Sequence, residues 1–312
     1  MAIDSLASLK GAEPIPYIDW FHVENISGAH RPETIISDLL GILSEKNSFS
    51  LKGRDPCNTG LFLGTSLSNF HIRNDNFQKF SLKGLRVMNP ADAPKGLISY
   101  IGGQLSIELD IKGMQSTVST YSSQGFDALY LSLQYLRRNI NNCAIVIELD
   151  EYIQEGPECS ARRACVLVLK NSLPADQNLL ELRVAGMESF FERQSQTRGL
   201  IRALKALIFR HNLDQEKIGS VYCSAGHNKL QVSLLKEDLS SADLLNNYLL
   251  TRNSLYDFGE SGLFLISHIL KQGFLKDSRY RARDLILILH LGFQTNSSCL
   301  ALEVKKRGEG DE

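Results

Sequence analysis

Short apolar runs alternate along this chain with stretches of amphipathic helical spacing, the pattern of an α/β protein. Gly60–Gly64 reads as a buried strand, followed by a helix near Asp75–Leu82. Asn89-Pro90 and Ala93-Pro94 punctuate a turn before an expected helix over Lys95–Leu105. Val118–Thr120 is short and β-branched, and Gly125–Asn139 has helical spacing through Leu129, Leu133 and Leu136. Cys143–Leu149, Cys165–Leu169 and Leu179–Val184 predict further strands. Thr197–His211 predicts a helix whose apolar side carries Leu200, Ile201, Leu204, Leu207 and Ile208, a core element. The order then recurs in outline: strand Ile218–Cys223, helices Ser240–Leu250 and Ser261–Gln272, strands Asp284–Leu291 and Ser297–Val304. Two successive αβ halves are expected, 1–180 and 181–304, with a polar tail over 305–312.

Composition narrows the function classes. With 34 basic against 35 acidic residues, nothing argues for nucleic acid or an anionic membrane as partner. No apolar run reaches the roughly 18–20 residues of a membrane span, and Met1–Lys10 carries no signal-peptide pattern. The six cysteines (57, 143, 159, 165, 223 and 299) lack C-x-x-C spacing, so reduced thiols are expected and a disulfide framework or zinc site is not. Cys143 and Cys223 read as core thiols, and Tyr17 and Trp20 as packing residues. The expectation is a cytoplasmic, soluble protein without metal or cofactor.

The most informative stretch runs from Thr117 to Leu129: T-V-S-T-Y-S-S-Q-G-F-D-A-L. A small residue on a tight strand-to-helix turn presents its side chain at a helix N-terminus, where the macrodipole favours an anion. A cysteine there gains thiolate character and becomes acylable. A serine is a poorer nucleophile and needs a positioned base within about 3 Å. The stretch resembles the nucleophile turn of β-ketoacyl synthases, V-S-T-A-C-A-S-G, with Ser122 at the position of the reactive cysteine. Other segments follow the family's order. Gly60–Asn69 resembles its G-L-V-V-G-T strand and loop, and Leu109–Gly113 stands where it has L-G-L-x-G-P. Ala161–Leu169 resembles E-G-A-x-V-L-V-L, and Gly292–Asn296 its terminal G-F-G-G-x-N loop, one residue shorter. The resemblance implies a thiolase-like fold, two related halves with stacked sheets and central helices, shortened relative to active ketosynthases.

The same resemblance locates the family's other catalytic positions. Ser224 falls at the histidine of the H-G-T-G-T segment, with His227 three residues on as a displaced candidate base. Arg252 and Asp257 fall at the lysine and histidine of S-T-K-S-x-x-G-H. The segment with an R-P-F-D-like sequence is reduced to a short linker between Asp150 and Ala161, which should reshape or close the acyl channel. All four positions are changed, a pattern at odds with decarboxylative condensation. Each residue also has a plainer reading. Ser122 satisfies a helix N-terminus, His227 lies in a polar loop at the surface, and Asp257 pairs with Arg252 or backbone amides.

Three functions follow from these readings. The preferred one is a non-catalytic subunit similar to the chain-length factors of type II polyketide and aryl-polyene systems. It would form a heterodimer with an active ketosynthase, shape the acyl pocket in polyketide or fatty-acid-type elongation, and meet acyl carrier protein through the complex. Val118 and Thr120 would then belong to the interface strand, with Tyr121, Gln124, Phe126 and Phe293 shaping the channel. The second is a Ser122-dependent acyltransferase or hydrolase, with His227 as base and Asp257 orienting it. The third is a homodimeric scaffold that binds acyl carrier protein.

Overall fold

The structure, a computed structural model, describes residues 16–26, 32–44, 54–65, 70–84, 89–120, 124–151, 162–171, 180–191, 196–224, 255–257, 262–270, 284–291 and 296–306. The strands are β1 (Tyr17–Ile26), β2 (Thr59–Thr65), β3 (Gln115–Val118), β4 (Cys143–Glu151), β5 (Arg162–Lys170), β6 (Leu180–Phe191), β7 (Ile218–Ser224), β8 (Leu255–Asp257), β9 (Leu285–Leu291) and β10 (Asn296–Lys306). The α-helices are α1 (Pro32–Ser44), α2 (Phe70–Lys83), α3 (Tyr100–Glu108), α4 (Gln124–Arg137), α5 (Gln196–Arg210) and α6 (Gly262–Ile269).

The strands hydrogen-bond in the order β3-β2-β4-β5-β1-β6-β10-β9-β7-β8. The two ends of this order repeat one another. In each, a parallel trio (β3-β2-β4, or β8-β7-β9) continues into antiparallel neighbours. The trios are joined through β1 and β6, which pair at a single position, Tyr17 with Arg183. The result is two five-stranded halves of like topology.

Alternation along the strands sorts their side chains into layers. On β4, Ala144 and Val146 join a central apolar cluster while Ile145, Ile147 and Leu149 face an outer one with α1 and α3. On β9, Ile286 and Ile288 face the centre, and Leu285, Leu287, Leu289 and Leu291 pack outward with Leu200, Leu204 and Leu207 of α5. The central cluster is filled by α4 and α6, through Phe126, Leu129, Leu133, Leu263, Phe264 and Ile266. Five layers follow: outer helices, sheet half, central helices, sheet half, outer helix. The near-continuous apolar composition of β4 and β9 reflects strands covered on both faces.

Helix ends are set by short polar side chains that tolerate the left-handed conformation. Asp110, Asn139 and Asn212 have φ of 51°, 53° and 49° just past α3, α4 and α5. At each end the next amide reaches back to a last-turn carbonyl: Ile111 to Ser106, Ile140 to Tyr135, Leu213 to Ile208.

Several boundaries differ from those expected. The helix expected from Lys95 starts at Tyr100, because Pro94–Gly96 forms a separate 3-10 turn and Leu97 is extended at φ −71°, ψ 142°. The strand expected over Val118–Thr120 is Gln115–Val118, since only these four residues have partners on β2. Ser119 and Thr120 have left the ladder. The strands β1 and β8 and the helix α1 were not legible as elements, and the helix expected over Ser240–Leu250 lies outside the described residues.

The thiols of Cys143, Cys165, Cys223 and Cys299 are buried, whereas Cys57 is exposed. Burial pushes the Cys143 thiol up, against the opposing pull of Arg54 and Lys170. Burial, then Cys223 and Glu188, pushes Cys299 well above the ordinary thiol value. Among these five, iodoacetamide near neutral pH should therefore label Cys57 alone, and the other four only after denaturation. Peptide mapping that finds Cys143 or Cys299 modified in the native protein would contradict this. Among the described residues no helix is long and apolar enough to cross a membrane.

Candidate functional site

The carboxyl ends of both parallel trios lead into the central helices, and the site is built there. On the first half, β3 ends at Val118, level with Gly64 of β2, which in turn is level with Glu148 of β4. A Cβ on Gly64 would collide with the backbone carbonyl of Gln124, so the glycine lets α4 start directly against the sheet. Thr120 donates its hydroxyl to Asp127 Oδ2 at 2.7 Å, tying the chain just past β3 to the first turn of α4. Gln124 opens the helix and is buried. Asp127 places a carboxylate where the helix dipole favours one.

On the second half, Ser224 ends β7 level with His290 of β9, and Asp257 ends β8 level with Cys223. The contacts between halves are crossed. Phe126, in the first turn of α4, stacks on His290 of the second half with ring centroids 4.9 Å apart. The Leu263 amide, in the first turn of α6, donates to Glu148 Oε2 of the first half at 2.5 Å. Phe264 lies under the Arg163 guanidinium of β5, 4.5 Å from the ring centroid. Glu148 and His290 are both almost wholly buried. Each is the sixth residue of its strand, so they occupy matching places in the two halves.

Of the residues named from the sequence, the structure gathers Val118, Thr120, Gln124 and Phe126 at the start of α4, and places Ser224 and Asp257 at the ends of their strands. Phe126 is fully buried in the central layer, and Val118 and Thr120 are partly exposed. Tyr121, Ser122, His227, Arg252 and Phe293 lie outside the described residues. Sequence reading passed over Glu148, His290 and Gly262. The signal for the first two was present, a single polar residue inside an otherwise apolar strand: C-A-I-V-I-E-L and L-I-L-I-L-H-L. No group of three or more metal-ligating side chains occurs among the described residues.

Comparison with known proteins agrees with this architecture. Residues 44–164 match the family described as β-ketoacyl synthase, N-terminal domain. No curated protein matches the sequence. Among solved structures, the ishigamide ketosynthase/chain length factor is similar at a TM-score of 0.67 and 12% identity, over 93% of this chain and 99% of that one. The ketosynthase ApeO in complex with its chain length factor ApeC, from Xenorhabdus doucetiae, is similar at 0.60 and 12% identity, over 93% and 98%. A type II polyketide synthase acyl-carrier protein in complex with its ketosynthase, AntDE:AntF, bound to the hexaketide, is similar at 0.61 and 14% identity, over 93% and 99%. At these identities the likeness establishes the fold.

Proposed function

We propose that this β-ketoacyl synthase-like chain of the thiolase fold is a non-catalytic, chain-length-factor-like subunit that pairs with an active ketosynthase and shapes its acyl pocket. The observation that carries the reading is the combination of a near-complete ketosynthase scaffold with a changed residue at each position that the resemblance makes catalytic: Ser122, Ser224, Arg252 and Asp257. A scaffold kept over 93% of the chain without its chemistry fits selection on assembly. Two of the similar structures are described as a ketosynthase with a chain length factor, and a third as a ketosynthase with its acyl carrier protein. By analogy, the partner here is an active ketosynthase in a heterodimer, and acyl carrier protein meets the complex. The division of the chain into halves at 180/181 belongs to the same proposal.

The electrostatics of α4 support a non-catalytic role for Ser122. Asp127 already sits in the first turn, and the Glu148 carboxylate lies against Gly125, the second residue of the helix. Two carboxyl groups near one helix N-terminus disfavour a third negative charge, and a serine alkoxide would be one. Ser122→Ala should therefore leave the product yield of the reconstituted complex within about twofold of wild type. A collapse of activity with the complex intact would transfer the weight to the Ser122 acyltransferase or hydrolase.

A further inference from the structure

We infer that Glu148 is an internal anion shared by the N-termini of the two central helices, filling a carboxylate site that the fold creates between its halves. Three observations converge on this one side chain. Its Oε2 accepts the Leu263 amide at the start of α6. The nearest heavy atoms to a Cβ built on Gly125 of α4 would be the Glu148 carboxylate atoms, too close for either to stay in place. The same holds for Gly262 of α6, whose φ of +63° already favours glycine. Each helix thus has a glycine in its first turn where it meets the carboxylate, and a bulkier residue at either place would displace it.

The physical reason is the orphan amides of a helix start. The first N–H groups of α4 and α6 lack intrahelical acceptors, and both helix starts are buried against the opposite half. A buried carboxylate between two helix N-termini is favoured by both macrodipoles and by the hydrogen bond. The matching place in the second half is filled differently, by His290 stacked on Phe126. The pseudo-symmetric pair therefore carries one anion between the helices. The ligand chemistry of the site is that of a small monocarboxylate, supplied here by the chain itself.

Removal and replacement of the carboxylate in the full-length protein test this assignment. Glu148→Ala should lower Tm by at least ~5 °C, and tens of millimolar sodium formate should restore part of that loss. Sodium chloride at the same ionic strength should not, and formate should leave the wild-type Tm unchanged. Equal responses to formate and chloride would overturn the proposal. The isosteric Glu148→Gln keeps shape and an acceptor while losing the charge, so it covers the case in which Glu148→Ala does not fold. It should also fall below wild type in urea midpoint, and a midpoint equal to or above wild type would overturn the internal-anion reading. Neither result decides the partner-subunit reading, which is carried by the fold and by the changed residues Ser122, Ser224, Arg252 and Asp257.

Discussion

Gly262→Ala should remove a large part of the stability of this protein. The residue sits at φ +63°, where an L side chain costs about 1–2 kcal/mol. Its new methyl would also overlap the carboxylate of Glu148, which is fully buried and hydrogen-bonded to the next residue of the same helix. Overpacking at such a site costs about 1–3 kcal/mol more, and the hydrogen bond is put at risk as well. The strain and overlap together, about 2–5 kcal/mol, are a large part of the ~5–15 kcal/mol that holds a typical domain folded. Gly84→Ala separates the two contributions. Gly84 has φ +74° but nothing within 4 Å of the added Cβ, so that variant carries backbone strain without overlap. Urea midpoints should fall slightly for Gly84→Ala and severely for Gly262→Ala. Equal midpoints would mean that Glu148 does not occupy the space between the helices.

The second large effect is expected at Phe126. Its side chain is fully buried in the central layer and stacks on His290 across the halves. Truncation to alanine leaves a cavity there and should cost about 3–5 kcal/mol, read as a lower urea midpoint. Phe77 of α2 provides the contrast, since it is 67% exposed and its alanine variant should lie within about 0.5 kcal/mol of wild type. Stability and pocket shaping are separable at Phe126 with leucine, which keeps most of the volume. If Phe126 lines a shared acyl channel, Phe126→Leu should fold and shift the product length of the complex. An unchanged product distribution would confine the residue to packing.

Much of the fold was legible because its buried strands and amphipathic helices carry strong local signals. β4, β5, β9 and β10 read directly from apolar runs, and α4 and α5 from helical spacing. The edges were less so. β1 (Y-I-D-W-F-H-V-E-N-I) mixes charged and aromatic residues because its side chains are only partly buried, so neither period dominates. β8 is three residues long and exists through its pairing with β7. The start of α3 depends on how Pro94, Gly96 and Leu97 divide the chain, a matter of turn geometry more than of propensity. At the site, the helix α4 followed from sequence, and Val118, Thr120, Gln124 and Phe126 lie at or beside its start. Glu148 and His290 did not, although each interrupts an apolar strand at the same place. Their meaning is tertiary: each reaches a helix of the other half, which no local window contains.

On the function proposed above, this chain is the non-catalytic member of a ketosynthase pair. The most direct test is a tagged pull-down from the native host, with mass spectrometry of the captured proteins and the native mass of the complex. The expected result is a one-to-one complex with a ketosynthase that carries the cysteine and both histidines replaced in this chain by Ser122, Ser224 and Asp257. Recovery of the chain solely as a monomer or homodimer would contradict it.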